Sequence, residues 1–280
     1  MKEAIDHFGK GDSALNGIIV CTPTFAHDPV IREAAEHGLH IFTEKPVDET
    51  AEKVSSLFDH CEKHNVKLCC GFQRRFDLTY KAVADAVRGG KIGKALSASI
   101  FFADHPCPPI EFLLTGGDIF MDLSAHDVDY IAWALNDEVS SVYATGSSST
   151  EVLKNANVYD NATMVLSFSR GAIVTLTMSR SASYGYDQRC EIFGTEGLAS
   201  VDNEFADSSI ISNKGGVQQS RLKHSFPERF DAAFAKELDV FADCILGDTE
   251  WPIIKADCIN TQKIADAARK SAELNEVIKL

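Results

Sequence analysis

From Gly17 to Gly71 short apolar runs alternate with helical stretches, and this alternation restricts the fold more than any other feature of the chain. Gly17–Cys21 (GIIVC), Leu39–Thr43 and Val66–Gly71 read as buried strands, and Asp28–His37 and Asp48–His64 as helices. Pro29 falls in the first helical turn, where its missing N–H is an orphan anyway, and Gly38 stops that helix. Strands separated by helices of this length pair in parallel, because each connection must cross a face of the sheet. Such sheets bind ligands beyond the carboxyl ends of their strands. Thr22–Thr24, Glu44–Pro46 and Phe72–Phe76 all lie at that edge.

The pattern changes after Phe72. Leu78–Arg88 reads as a helix closed by Gly89-Gly90, followed by a strand near Ala95–Ala103 and a loop rich in proline and glycine through Gly117. Phe120–Leu135 is predicted to be helical, and strands then follow one another. Ala162, Met164, Leu166 and Phe168 alternate with polar or smaller residues; past a turn at Arg170-Gly171, so do Ala172, Val174, Leu176 and Met178. That is an antiparallel hairpin signal. Gln188–Phe193 and Leu198–Val201 extend the sheet across a Gly194–Gly197 turn. Two helices close the chain, the first with Phe230, Phe234, Leu238, Phe241 and Ile245 on one stripe. Segments 146–157 and 203–224, rich in Ser, Asn and Gln, read as solvated loops. The expected fold class is α/β: a partial Rossmann (doubly wound parallel) domain over 1–72, then an α+β domain over 73–280 with a large, mostly antiparallel sheet.

Composition narrows the function classes. With 27 basic and 41 acidic residues the net charge is −14, so no basic stripe is available for nucleic acid or an anionic membrane. No apolar run reaches the roughly 18 residues of a membrane helix. None of the eight cysteines has C-x-x-C spacing, and no metal site is expected. A disulfide framework is not expected in a chain this long without a secretory signal, which leaves a reduced cytoplasmic protein.

The segment FMDLSAHDVDYIAWAL at 120–135 carries the densest chemistry. Asp122 and His126 are four apart and share a helical face, with Asp129 on the same stripe. Ser124, Val128, Ile131 and Leu135 form a roughly opposite stripe suited to the core, and Asp127 points away from Asp122. No lysine or arginine lies nearby in sequence, so the carboxylates read as uncompensated: either a site that tunes the histidine, or an exposed acidic face. Lys45, directly after a buried strand, sits where ligands bind; the plainer reading is a surface lysine in a connecting loop. Cys21-Thr22-Pro23-Thr24 ends the preceding strand and reads equally as a turn.

Taken in order, VCTPTFAH at 20–27, EKP at 44–46, GFQRRFD at 71–77, GGDIFMDLSAHDVD at 116–129 and YGYDQRCEIFGTEG at 184–197 resemble the Gfo/Idh/MocA oxidoreductases over nearly the whole chain. The last two segments look closest to inositol 2-dehydrogenases. The resemblance implies hydride transfer between a secondary alcohol of an inositol-like polyol or sugar and NAD or NADP. It implies Lys45, Asp122 and His126 as catalytic groups, and cofactor contacts from Cys21, Thr22, Pro23, Thr24, His27, Glu44, Lys45 and Gln73. It also implies polyol contacts from Arg75, Asp104, His105 and Tyr186, although FADHP at 102–106 departs from the family pattern. A homo-oligomer, dimer or tetramer, is implied as well.

A complete member opens with a strand, a G-x-G-x-x-G turn, a helix and a second strand, the glycines letting the backbone approach a pyrophosphate. Gly9–Ala14 formally fits G-x-G-x-x-A, but it leads from a short helical stretch into a strand, which is the wrong context. The chain is therefore expected to start after that unit, which normally also carries the residue that selects NAD over NADP. Two readings stay open: an oxidoreductase, or a truncated, catalytically inactive relative acting as a binding or oligomer subunit.

Overall fold

The alternating segment forms a three-stranded parallel sheet. In the computed structural model, which describes residues 15–247 and 249–280, β1 (Gly17–Val20), α1 (His27–Glu36), β2 (His40–Glu44), α2 (Ala51–Lys63) and β3 (Leu68–Gly71) follow in that order. Gly9–Ala14 lies outside the described residues. The strands lie side by side as β1-β2-β3, with Ile18 opposite Ile41 and Ile41 opposite Leu68. α1 buries Ile31, Ala34 and Ala35 and ends before Gly38, whose φ of 73° suits glycine. Thr50 caps α2 by accepting from the Lys53 amide, and Val54, Leu57 and Cys61 form its buried stripe.

The chain divides into two units, and the first is discontinuous: it runs to Gln73 and also takes in Ala235–Lys263. The sequence expectation placed 235–263 in the second domain. They fold with the first because β2 and β3 need an aromatic cover. The rings of Phe241 and Trp251 meet Phe42 edge-on at 5.8 and 5.9 Å, and the Trp251 indole donates to the Cys70 carbonyl at 3.2 Å. Lys67 Nζ donates to the Cys244 carbonyl at 2.6 Å. Gly17 permits the close approach, since a Cβ there would lie 2.9 Å from the His40 carbonyl oxygen and 3.2 Å from the Phe241 ring.

The second unit comprises Arg74–Phe234 and Ile264–Leu280. α3 (Leu78–Arg88) starts at Asp77, which accepts from the amides of Thr79 and Tyr80, both at 3.0 Å. β4 (Ala95–Ala103) is followed by a short helix, α4 (Ile110–Thr115), inside the expected loop. A single π-turn (Ile119–Leu123) then leads into α5 (Ala125–Leu135). β5 (Val139–Ser147), α6 (Glu151–Asn155), β6 (Asn161–Phe168), β7 (Ile173–Ser179), β8 (Asp187–Gly194) and β9 (Leu198–Val201) come next. A hairpin of β10 (Ile210–Asn213) and β11 (Gly216–Gln219), then α7 (Phe226–Arg229), α8 (Asp231–Leu246), α9 (Lys255–Leu274) and β12 (Ile278–Lys279), complete the chain. The seven-stranded sheet runs β12-β5-β6-β7-β4-β8-β9, with only the β4–β7 pair parallel.

The expected alternation is present: Ala162, Met164, Leu166, Phe168, Val174, Leu176 and Met178 are all buried on one face. The other face holds hydroxyls and half-exposed apolar groups, with a shallow concavity of about 350 Å³ lined by Phe101, Thr145, Thr163 and Thr177 among others. Three local expectations are corrected. Phe120–Leu135 is a π-turn plus a helix, not one helix. Segment 146–157 contains α6, and 203–224 contains the exposed β10–β11 hairpin. Of the apolar stripe read from sequence, Phe230 and Phe241 are buried while Leu238 is 41% exposed; Ala233, Glu237 and Cys244 are the other buried positions of α8.

Candidate active site

In the first unit, the carboxyl ends of β1 and β2 are tied together by His27. This buried side chain opens α1, with Nε2 2.8 Å from the Thr22 carbonyl oxygen and Nδ1 3.2 Å from that of Val47. The imidazole thereby sits between the loop after β1 and the loop after β2, which carries Glu44, Lys45 and Pro46. The Lys45–Pro46 peptide bond is cis. Burial pushes the Glu44 carboxyl up, and the Lys45 ammonium and a hydrogen bond from its backbone partly oppose that shift. Partial burial and the Glu44 charge likewise raise the Cys21 thiol. Gln73 is buried at the end of this unit. The edge thus offers polar donors and acceptors on three successive strand ends, where open parallel sheets bind ligands. No G-x-G-x-x-G turn occurs in residues 15–280.

In the second unit, Asp118 shapes the chemical turn. Its side chain accepts from the amides of Phe120 (2.9 Å) and Met121 (2.8 Å), which opens the π-turn bearing Asp122. His126 stands on the first turn of α5. Asp122 and His126 are half-exposed, whereas Ser124, Val128, Ile131 and Leu135 are buried as the sequence suggested. Ser124 Oγ donates to the Phe120 carbonyl at 2.5 Å and joins the two turns.

The expectation of uncompensated carboxylates is overturned. Arg180 Nη2 lies 2.7 Å from Asp122 Oδ2. Arg75 forks onto Asp129, with Nε–Oδ2 at 2.9 Å and Nη2–Oδ1 at 2.5 Å. Arg74 pairs with Asp127, both side chains fully buried. Burial pushes the Asp127 carboxyl up against the pull of Arg74; burial opposes the Arg74 charge too, but the Asp127 carboxylate prevails and keeps the guanidinium cationic. Asp129 therefore leaves the working face expected for it and lies in the interior. All three arginines come from distant segments, so a local reading of residues 120–135 could not see them.

The four expected polyol contacts divide into two pairs. Asp104 and His105 follow β4 and are half-exposed; the Asp104 amide donates to the Ser179 carbonyl at 2.9 Å, and His105 Nδ1 lies 2.7 Å from the Ala182 carbonyl. Arg75 and Tyr186 are buried. The Arg75 guanidinium lies 5.4 Å over the Trp133 ring, and the Tyr186 ring packs against Phe102 at 5.5 Å. Burial raises the Tyr186 phenol well above its ordinary value. Arg180 Nη1 is 3.6 Å from Asp104 Oδ2, so the guanidinium bonded to Asp122 also places its charge beside Asp104. The sequence reading missed Arg180. Its only signal was a lone arginine just beyond an alternating strand, at 178–183 (MSRSAS). Among the described residues, no group of three or more His, Cys, Asp and Glu side chains could hold a metal ion.

Known proteins share this sequence pattern and fold. Residues 9–72 match the family model described as the oxidoreductase family, NAD-binding Rossmann fold, and residues 80–200 match the GFO/IDH/MocA C-terminal domain. The chain is 36% identical over 261 residues to the uncharacterized oxidoreductase YrbE of Bacillus subtilis, covering 93% of this chain and 76% of that protein. It is 32% identical over 270 residues to the myo-inositol 2-dehydrogenase of Thermotoga maritima, covering 96% of this chain and 81% of that one. Its fold matches the crystal structure of scyllo-inositol dehydrogenase from Lactobacillus casei with bound NAD(H) and scyllo-inositol. That match has a TM-score of 0.88 at 27% identity, covering 98% of this chain and 82% of the other.

Proposed function

The chain belongs to the Gfo/Idh/MocA oxidoreductase family, and on that premise we propose that it oxidises a secondary hydroxyl of an inositol-like polyol with NAD. The observation that carries the reading is the pair Asp122 and His126, both half-exposed on adjacent turns, with Asp122 braced from behind by a buried arginine. The loops after β1 and β2 and the buried Gln73 suit the nicotinamide end of the dinucleotide. When bound, NAD supplies the two-electron acceptor.

The protein's own groups handle the proton and the oxygen. A neutral imidazole is the natural base near neutral pH; His126 Nδ1 is buried, so Nε2 takes the hydroxyl proton. Asp122, one turn earlier, orients that ring and stabilises its cationic form. The Lys45 ammonium holds the reacting hydroxyl and stabilises the alkoxide charge that develops on it. Asp104 and His105 offer further hydrogen-bonding groups to a polyol.

We assign the chain to the cytoplasm, on eight cysteines that form no disulfide among the described residues, and read it as a homo-oligomer. The outer face of the seven-stranded sheet is the proposed subunit contact: it exposes Ile173 and Phe193, each 52%. Light scattering of the purified chain tests the assembly. No helix among the described residues is long and apolar enough to cross a membrane.

The activity test is absorbance at 340 nm with NAD and a panel of myo-inositol, scyllo-inositol and simple sugars. His126→Ala is expected to lower kcat by roughly 10²- to 10⁴-fold with folding intact. Wild-type turnover in that variant removes His126 as the base. A wild-type chain that neither turns over any panel member nor binds NADH favours the inactive-subunit reading.

A further inference from the structure

Arg180 is the first residue beyond β7, and its side chain is 2% exposed. Its guanidinium faces four oxygens drawn from three segments. Nη2 donates to the Gly117 carbonyl at 2.8 Å, and the same nitrogen lies 2.7 Å from Asp122 Oδ2 and 3.4 Å from the Asp118 carbonyl. Nη1 is 3.6 Å from Asp104 Oδ2. The guanidinium carbon sits 5.9 Å from the Phe112 ring centre of α4. Neutralising one aspartate needs only one of these contacts. Here a permanent cation stands behind two carboxylates that reach solvent from different elements, their side chains 25% and 14% exposed. It also grips the backbone of the loop that leads into the π-turn. That loop is packed tightly: a Cβ on Gly117 would lie 2.9 Å from the Phe112 ring and 3.0 Å from Leu113 Cα.

We propose that Arg180 is a positioning residue for the oxidoreductase reaction, locking Asp122 at the angle from which it serves His126 and setting the Asp104 carboxylate beside it as a second acceptor for polyol hydroxyls. The inference rests on the function proposed above. Its physical basis is the planar fork of arginine. Nη2, fixed at 2.8 Å from the Gly117 carbonyl, meets Asp122 Oδ2 at a set angle, while Nη1, 3.6 Å from Asp104 Oδ2, acts on that carboxylate through charge rather than a hydrogen bond. An ammonium in the same place keeps the charge but loses the angle.

The test uses Arg180→Lys and Arg180→Ala in the full chain, with two readouts. The first is steady-state kinetics with NAD and the best polyol of the panel. Arg180→Lys is expected to lower kcat by about 10- to 100-fold, the size of losing charge-assisted hydrogen bonds, with KM for NAD within about two-fold of wild type. Added guanidinium ion is expected to restore part of kcat in Arg180→Ala and to leave Arg180→Lys unaffected. The second readout is amide exchange, which needs no activity. Exchange in residues 117–123 should accelerate in both variants while β6 and β7 keep their protection. Wild-type kcat and wild-type exchange in Arg180→Lys overturn the inference. So does collapse of β6 and β7 protection in that variant, because Arg180 is then a core residue only. A wild-type chain silent on every polyol overturns the oxidoreductase reading instead, and the exchange pattern still decides whether Arg180 fixes the Asp122 turn.

Discussion

Replacing Arg75 with methionine separates two roles that this residue could serve, a polyol contact and an internal brace. Its fork onto Asp129 closes at 2.9 and 2.5 Å, with the two side chains 4% and 1% exposed. Two unit charges about 4 Å apart attract by about 4 kcal/mol at an effective dielectric constant of 20. Removing one partner of such a buried pair costs about 3–5 kcal/mol, because the other charge is stranded. The guanidinium also lies over Trp133, a contact worth about 1 kcal/mol. Arg75→Met and Asp129→Leu should therefore each lower stability in urea unfolding by about 3–5 kcal/mol, a large part of a typical 5–15 kcal/mol total. The double variant strands no charge and should lose only about 0–2 kcal/mol, giving a coupling of about 3 kcal/mol or more. With stability restored, the polyol KM of the double variant reads the other role: unchanged for a brace, raised for a substrate contact. A coupling below about 1 kcal/mol would falsify the stranded-charge argument.

Three other outcomes are expected. Gly117→Ala places a methyl against Phe112 and Leu113 and should cost about 1–3 kcal/mol by overpacking, with a matching loss of kcat; calorimetry and kinetics check both. Trp251→Ala removes the cover of Phe42 and the bond to the Cys70 carbonyl and should cost about 3–5 kcal/mol, seen as early exchange of the β2 and β3 amides. Burial raises the Asp187 carboxyl, but hydrogen bonds from Arg189, Tyr184 and Asn203 outweigh it and lower the group below its ordinary 3.8. The folded value lies below the unfolded one, so the stabilisation is complete above the unfolded value and is lost as pH falls through the folded one. The stability gap between wild type and Asp187→Asn should therefore shrink from about pH 6 to about pH 3; a constant gap contradicts the sign.

Periodicity made the local elements legible. Leu78–Arg88 and Ala95–Ala103 have the ends read from sequence, because glycines close the first and alternation runs the length of the second. The β6–β7 hairpin was equally plain from its alternating apolar residues. Asp122 and His126 were found by their spacing. What local pattern could not carry was partnership across the chain. The arginines that meet Asp122, Asp127 and Asp129 lie 58, 53 and 54 residues away, so a stretch without a single lysine or arginine looked uncompensated when it is fully paired. The cover of β2 had the same cause: nothing in Phe241 or Trp251 announces Phe42. The π-turn escaped because its one-residue widening leaves the apolar rhythm almost unchanged.

The discontinuous first unit also sets a timetable for synthesis. Trp251 is 181 residues downstream of the Cys70 carbonyl it binds. At about 5–20 residues per second on a ribosome, β3 waits roughly 10–40 s for that partner. During the wait, Phe42 and the buried strands beside it have no aromatic lid, and by its end six of the seven strands of the larger sheet have emerged. Each unit is thus closed by a segment made long after its first strand, the first by Ala235–Lys263 and the second by Ile264–Leu280. A nascent chain stalled before Ala235 would lack the Phe241 and Trp251 cover of Phe42 and expose apolar sheet surface there, the kind of surface that chaperones hold.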